Sequence, residues 1–176
     1  MSFFVVDVEA DGPYPFDYSM VCFGAVKVIP ELKQAPTFYR QIRPVSSKWI
    51  PNALAISGFT REQQLSFPHP GPAMKKFVEW VEENNTNGRP TLITDNPQFD
   101  GSWINAYCHR FVGRNPFGYS SRRIGDLFCG IRGNVYANWK EYRKTKHDHN
   151  PVNDALGNAE VILMMKEKMG LTISLC

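Results

Sequence analysis

The chain has 176 residues, 43% of them hydrophobic and 21% charged, a balance that suits one soluble domain over 1–176 with a sizeable core. Its formal charge of +3 is too small to argue for a nucleic-acid partner unaided, and no apolar run is long enough to cross a bilayer. No basic segment precedes the N-terminal apolar run, and Cys22, Cys108, Cys129 and Cys176 form no Cys-x-x-Cys pair; this excludes a secretory signal and a zinc knuckle and points to reduced thiols in the cytoplasm.

The first element is Phe3-Phe4-Val5-Val6-Asp7-Val8-Glu9, an apolar run ending in two carboxylates, which predicts a buried strand. Side chains alternate along a strand, so Asp7 and Glu9 share a face, where they repel each other unless a hard divalent cation takes their oxygens. The ordinary alternative is that both are solvated as the strand leaves the core. Residues 20–29 predict a second strand and 37–42 a third, stopped by Pro30 and Pro44, which makes an antiparallel meander. A short helix is expected over 49–56, with Pro51 in its first turn, and Thr60 is placed to cap a following turn. Apolar residues at helical spacing from Ala73 to Val81 predict a helix over 72–83.

Thr91-Leu92-Ile93-Thr94 reads as a short strand, turned by Asp95-Asn96-Pro97 into a helix with Phe99, Trp103, Ile104, Tyr107 and Phe111 on one side. Residues 113–125 read as irregular, 127–139 as partly helical despite Gly130 and Gly133, and 140–150 as polar and mobile. The last helix spans 151–169, with Pro151 opening it and Gly170 beyond its end. The fold class is α/β, a mixed sheet flanked by helices. From Arg110 to Lys146 nine basic residues face two acidic ones, with aromatics interleaved. That composition suits a phosphate backbone and unstacked bases, or else a solvated face above ordinary core aromatics.

Three more groups stand out: Asp100 at a helix start, Asp154 in the first turn of the last helix, and His149 five residues before it, with His147 nearby. Singly, the acids are explained by the helix dipole and the histidines by solvation. Jointly, the carboxylate pair on a first strand, Phe99-Asp100 after a later strand and His149-x-x-x-x-Asp154 opening a last helix resemble the three motifs of the DEDD exonuclease superfamily, in its DEDDh branch. Ile56-Ser57-Gly58-Phe59-Thr60 is similar to that family's segment between its first two motifs. Asp7-Val8-Glu9-Ala10-Asp11-Gly12-Pro13 and Tyr18-Ser19-Met20-Val21-Cys22-Phe23-Gly24-Ala25 further resemble compact bacterial and phage exoribonucleases of the ribonuclease T type.

The resemblance implies a ribonuclease-H-like fold with two divalent metal ions, Mg²⁺ or Mn²⁺, held by Asp7, Glu9, Asp100 and Asp154. It implies His149 as general base in 3′-to-5′ release of nucleoside monophosphates from single-stranded RNA or DNA ends, RNA preferred, and a homodimer as in relatives of this size. Backbone at Ala10, Asp11 and Gly12 is expected near the terminal sugar, and Phe59 either stacks on the last base or plugs the core. Ala10 stands where many relatives have Thr, which removes a hydroxyl contact. The alternative is a non-catalytic nucleic-acid-binding module on the same fold.

Overall fold

The computed structural model describes residues 1–175, so Cys176, the fourth cysteine of the sequence, lies outside the described residues. Five strands form one sheet in the order β3-β2-β1-β4-β5. The meander is as expected: β1 (Phe3–Ala10) pairs antiparallel with β2 (Met20–Lys27), and β2 with β3 (Thr37–Gln41). On the other side β1 pairs parallel with β4 (Thr91–Thr94), and β4 with β5 (Ser121–Arg123). Such parallel neighbours need crossovers, and helices supply them.

Alternation along β1 sorts its side chains between two cores. Phe4, Val6 and Val8 pack with Phe23, Phe77 and Trp103 under α3 (Pro70–Glu83) and α4 (Ser102–Val112). Val5 packs with Ile93, Phe128 and Ile162 under α5 (Ile124–Arg132) and α6 (Pro151–Met169). Asp7 and Glu9 have the parity of Val5 and so face α6. Gly24, the β2 partner of Asp7, lets α6 come down at that point: a Cβ there would sit 2.6 Å from the backbone of Pro151 and Val152. Any larger residue at 24 would lift the N-terminus of α6 away from Asp7.

The last helix has the expected bounds because its ends are coded locally. Pro151 opens it, the Asn150 side chain accepts from the N–H groups of Val152 and Asn153, and Gly170 closes it at φ +78°. The short α1 (Pro51–Ile56) also matches, and α2 (Arg61–Ser66) starts with a full capping box between Thr60 and Gln63.

Three expectations are corrected. Residues 113–125 are not wholly irregular, since 121–123 form β5. The helix placed at 127–139 begins at Ile124 and ends at Gly133 in a left-handed conformation. Residues 140–150 are not loose. A 3-10 turn covers Lys140–Tyr142, and the Glu160 carboxylate of α6 then accepts from the N–H groups of Lys144 and Thr145, each at 2.8 Å, and from the Thr145 hydroxyl at 2.9 Å. No described helix is long and apolar enough to cross a membrane.

Candidate active site

The acids gather where β1 and β4 end, beside the start of α6. One carboxylate oxygen from each of Asp7, Glu9 and Asp154 lies within 4.8 Å of the others. Asp100 joins them from a π-type turn, Pro97–Gly101, that links β4 to α4. Such one-turn irregularities often mark functional positions. Its Oδ1 accepts from the N–H of Val8, between Asp7 and Glu9, at 3.2 Å. Its Oδ2 accepts from the Thr94 hydroxyl at 2.5 Å and the Asn96 N–H at 3.2 Å. Asp100 is thus locked to both strands.

Asp154 is fully buried and organises the segment ahead of α6. Its Oδ2 accepts from the His149 N–H at 3.1 Å, and its Oδ1 meets Arg143 Nη2 and His147 Nδ1, both at 2.8 Å. His149 has φ +60°, a left-handed conformation that costs an L-residue about 1 kcal/mol. That turn brings its ring back over β1, with Nδ1 3.3 Å from Glu9 Oε1. Half of the His149 side chain stays open to solvent.

The cluster is electrostatically frustrated. Burial first, then the charges of Asp100, Asp154 and Glu9, pushes Asp7 well above the ordinary carboxylate range, and Arg143 opposes the shift. Burial and then Asp154 push Glu9 up to about 7, against His147. Burial pushes Asp100 up to about 6 although three hydrogen bonds pull the other way. Close, buried carboxylate oxygens from several elements are the donor set that a hard divalent cation satisfies, so these residues fit such an ion.

The cleft in front of the acids has a volume of about 480 Å³. Asp7, Glu9, Asp100 and His149 line it together with Asp95, Asn96 and His147; Ala10, Gly12, Ile50, Ala53, Ile56 and Phe99 contribute backbone and apolar wall. All five expected chemical positions therefore come together. The expected sugar and base contacts fare differently. Asp11 is fully buried, its carboxylate held by Ser19, Arg61 and Gln64, its N–H by Ser19 and its carbonyl by Ile50. The space beside Gly12 is filled by the Tyr18 ring. Phe59 packs edge-on against Phe67 at 5.0 Å with Val21 and Leu54, outside the cleft, which favours the core plug.

Arg143 is the functional neighbour that the sequence concealed. In the sequence it is one of nine basic residues that suit either a phosphate backbone or a solvated face, yet its side chain is 10% exposed. It lies over Gly157 of α6, where a Cβ would come within 2.5 Å of its Nε. A glycine inside a long helix was the one available signal of a close approach. Arg143→Lys is expected to cost about 1 to 2 kcal/mol, because the shorter side chain loses the planar guanidinium that lies over Gly157 and whose Nη2 meets both the side-chain and the carbonyl oxygen of Asp154. Urea denaturation in chelator measures it, and an unchanged midpoint would show that the pair contributes nothing.

No protein-family model matches the chain. It is 32% identical over 178 residues to Cap18, a 3′-5′ DNA exonuclease of Escherichia coli, across 93% of this chain and 90% of the relative. Among solved structures it is similar to the nuclease domain of 3′hExo, a DEDDh family member bound to rAMP, with a TM-score of 0.75 and 17% identity over 98% of this chain and 96% of that one. Escherichia coli exonuclease I in complex with a dT13 oligonucleotide gives a TM-score of 0.73 at 14% identity, over 96% of this chain. The chain spans 42% of that exonuclease I chain. The mixed sheet and its flanking helices are the ribonuclease-H-like arrangement that these structures share.

Proposed function

Because the chain belongs to the 3′-to-5′ exonucleases and has the fold of a DEDDh family member, we propose that it hydrolyses single-stranded ends one nucleoside monophosphate at a time in the DEDDh manner, with Asp7, Glu9, Asp100 and Asp154 as metal ligands and His149 as general base. The observation that carries this reading is the cluster itself. Three acids lie within 4.8 Å of one another, a fourth is locked beside them, and a half-exposed histidine sits on its rim.

Divalent cations bound there, two in this family's mechanism, would activate the attacking water and stabilise the leaving alkoxide. The protein supplies the rest. Glu9 faces His149 Nδ1, which favours a proton on that nitrogen and leaves Nε2 as the acceptor for the proton of the attacking water. Thr94, Asn96 and the Val8 N–H hold Asp100 so that it cannot swing to relieve the repulsion. Ile50, Ala53, Ile56 and Phe99 offer an apolar wall to the terminal sugar and base and exclude water from that side.

For substrate we propose DNA, against the RNA preference implied by the resemblance to ribonuclease T. A protein distinguishes RNA by hydrogen bonds to the 2′-hydroxyl. The wall formed by Ala10, Ile50, Ala53 and Ile56 offers no side-chain donor or acceptor for one. The 32% identical relative is named for DNA. Three free thiols among the described residues, Cys22, Cys108 and Cys129, suit a reducing, cytoplasmic setting. The test uses matched 5′-labelled DNA and RNA strands with Mg²⁺, with Mn²⁺ and with chelator. A metal-dependent ladder from the 3′ end, faster on DNA, is expected. Binding without shortening would return the chain to the non-catalytic reading, and a faster RNA ladder would reverse the substrate alone.

The acids also set a pH dependence of stability. The folded values of Glu9, about 7, and Asp100, about 6, lie above those of the unfolded chain, and Asp7 shifts the same way. The stability linked to their protons is full below the ordinary carboxylate range and is lost as pH rises through about 6 and then about 7. In chelator the melting temperature should therefore fall between about pH 4 and pH 7, and Mg²⁺ should restore it most at the upper end. A flat profile in chelator would show that the four charges do not repel as described.

A further inference from the structure

Beside the acid cleft lies a second cavity, of about 640 Å³, between α5 and the 133–139 segment. Arg123, Gly130, Gly133, Tyr136 and Trp139 are among its walls. Its volume is within the range of about 300–1,000 Å³ that ligand sites occupy. Asp95 connects the two. It lines the acid cleft, its carbonyl accepts from Arg123 Nε at 3.1 Å, and its carboxylate pairs with Lys140 Nζ at 3.3 Å.

The chemistry of the second cavity differs from that of the first. Tyr136 is 90% exposed, yet its backbone is held in place: its N–H donates to Asn134 Oδ1 at 2.9 Å, and the Ala137 N–H bonds the Asn134 carbonyl. A large aromatic ring held in water on an ordered turn gains nothing from the fold. Elsewhere in the lining, a Cβ at Gly130 or Gly133 would meet nothing within 4 Å, which leaves room there for a flat group. At the cavity's edge Arg123 pairs with Asp126 and Lys140, which lies over the Trp139 ring, pairs with Asp95, so two cations stand there that can exchange an exposed carboxylate for a phosphate. Cations beside an exposed ring are how sequence-tolerant single-strand sites are built.

We infer that this cavity is an upstream subsite for the strand whose 3′ end enters the acid cleft, with an unstacked base on Tyr136 and the intervening phosphates on Arg123 and Lys140. The inference rests on the exonuclease reading and extends it to substrate length. A dinucleotide ends short of the cavity, and longer strands reach it.

Two measurements test it. Tyr136→Ala is expected to raise KM for octamers by about 5- to 100-fold, the range that one base–aromatic stack supplies, while leaving kcat and the KM for dinucleotides unchanged. Tyr136→Phe should restore the octamer KM. Octamers carrying 5-iodouracil a few nucleotides from the 3′ end should crosslink to the 133–139 segment on irradiation, a readout that needs no turnover. Normal mononucleotide release with no crosslink there and no length-dependent KM would overturn the subsite and leave the exonuclease standing. A crosslink at Tyr136 in a protein that releases no mononucleotide would support the subsite and sink the exonuclease reading. Equal losses on dinucleotides and octamers would also overturn it, because the ring would then be acting on the cleft as a whole.

Discussion

Asp7→Asn is expected to abolish exonuclease activity, by about a thousandfold or more, and at the same time to stabilise the metal-free protein. Both effects have one cause. Asp7 sits among Glu9, Asp100 and Asp154 with its carboxyl held well above its ordinary range by burial and by their charges. The amide keeps the shape of the side chain and removes the charge, so the repulsion in the cluster falls. Relief of this kind commonly contributes about 0.5–2 kcal/mol, or several degrees in Tm for a chain of this size. The same change removes a charged oxygen donor, and hard divalent cations bind neutral amides far more weakly than carboxylates. Paired melting curves in chelator and 3′-end ladder assays in Mg²⁺ measure the two effects. A variant that melts lower and digests normally would show that Asp7 is a structural acid and not a ligand.

His149→Ala is expected to separate chemistry from binding. The histidine is placed by its backbone, through the bond from its N–H to Asp154, and its ring is half exposed on the rim. Removing the ring leaves the four acids in place, so substrate KM and the metal requirement should hold. Loss of a general base costs about 10²–10⁴ in kcat. His147→Ala is the control, because His147 lies 2.8 Å from Asp154 and its ring centre is 4.4 Å from that of His149. A loss of the same size in His147→Ala, with His149→Ala active, would transfer the base to residue 147.

Much of this site is legible in the sequence because it is coded locally. Alternation alone places Asp7 and Glu9 on one face, and Pro151 with Gly170 fixes the helix that carries Asp154. What escapes a linear reading depends on distant partners. Ser121-Arg122-Arg123 has no apolar residue, and it becomes β5 only because β4 offers an open parallel edge. The polarity of 140–150 suggests mobility, but Glu160, fifteen or sixteen residues further on, bonds the backbone of 144 and 145. Arg143 reads as a surface cation until Gly157 is seen to make room for it. A linear reading leaves Phe59 between a base stack and a core plug and puts the Asp11 backbone near the terminal sugar, whereas the fold packs Phe59 beside Phe67 and holds Asp11 between Ser19, Arg61 and Gln64.

The distribution of the acids along the chain bears on how such a protein is made. Asp7 enters early, Asp100 past the midpoint, and Asp154 on α6, which in turn anchors the histidine segment through Glu160. A nascent polypeptide emerging from the ribosome therefore holds an incomplete set until α6 has been synthesised and has docked over Gly24. Contacts that span most of a chain form late in folding. Completion of the four-acid set is in this way tied to the docking of α6, the element that carries Asp154.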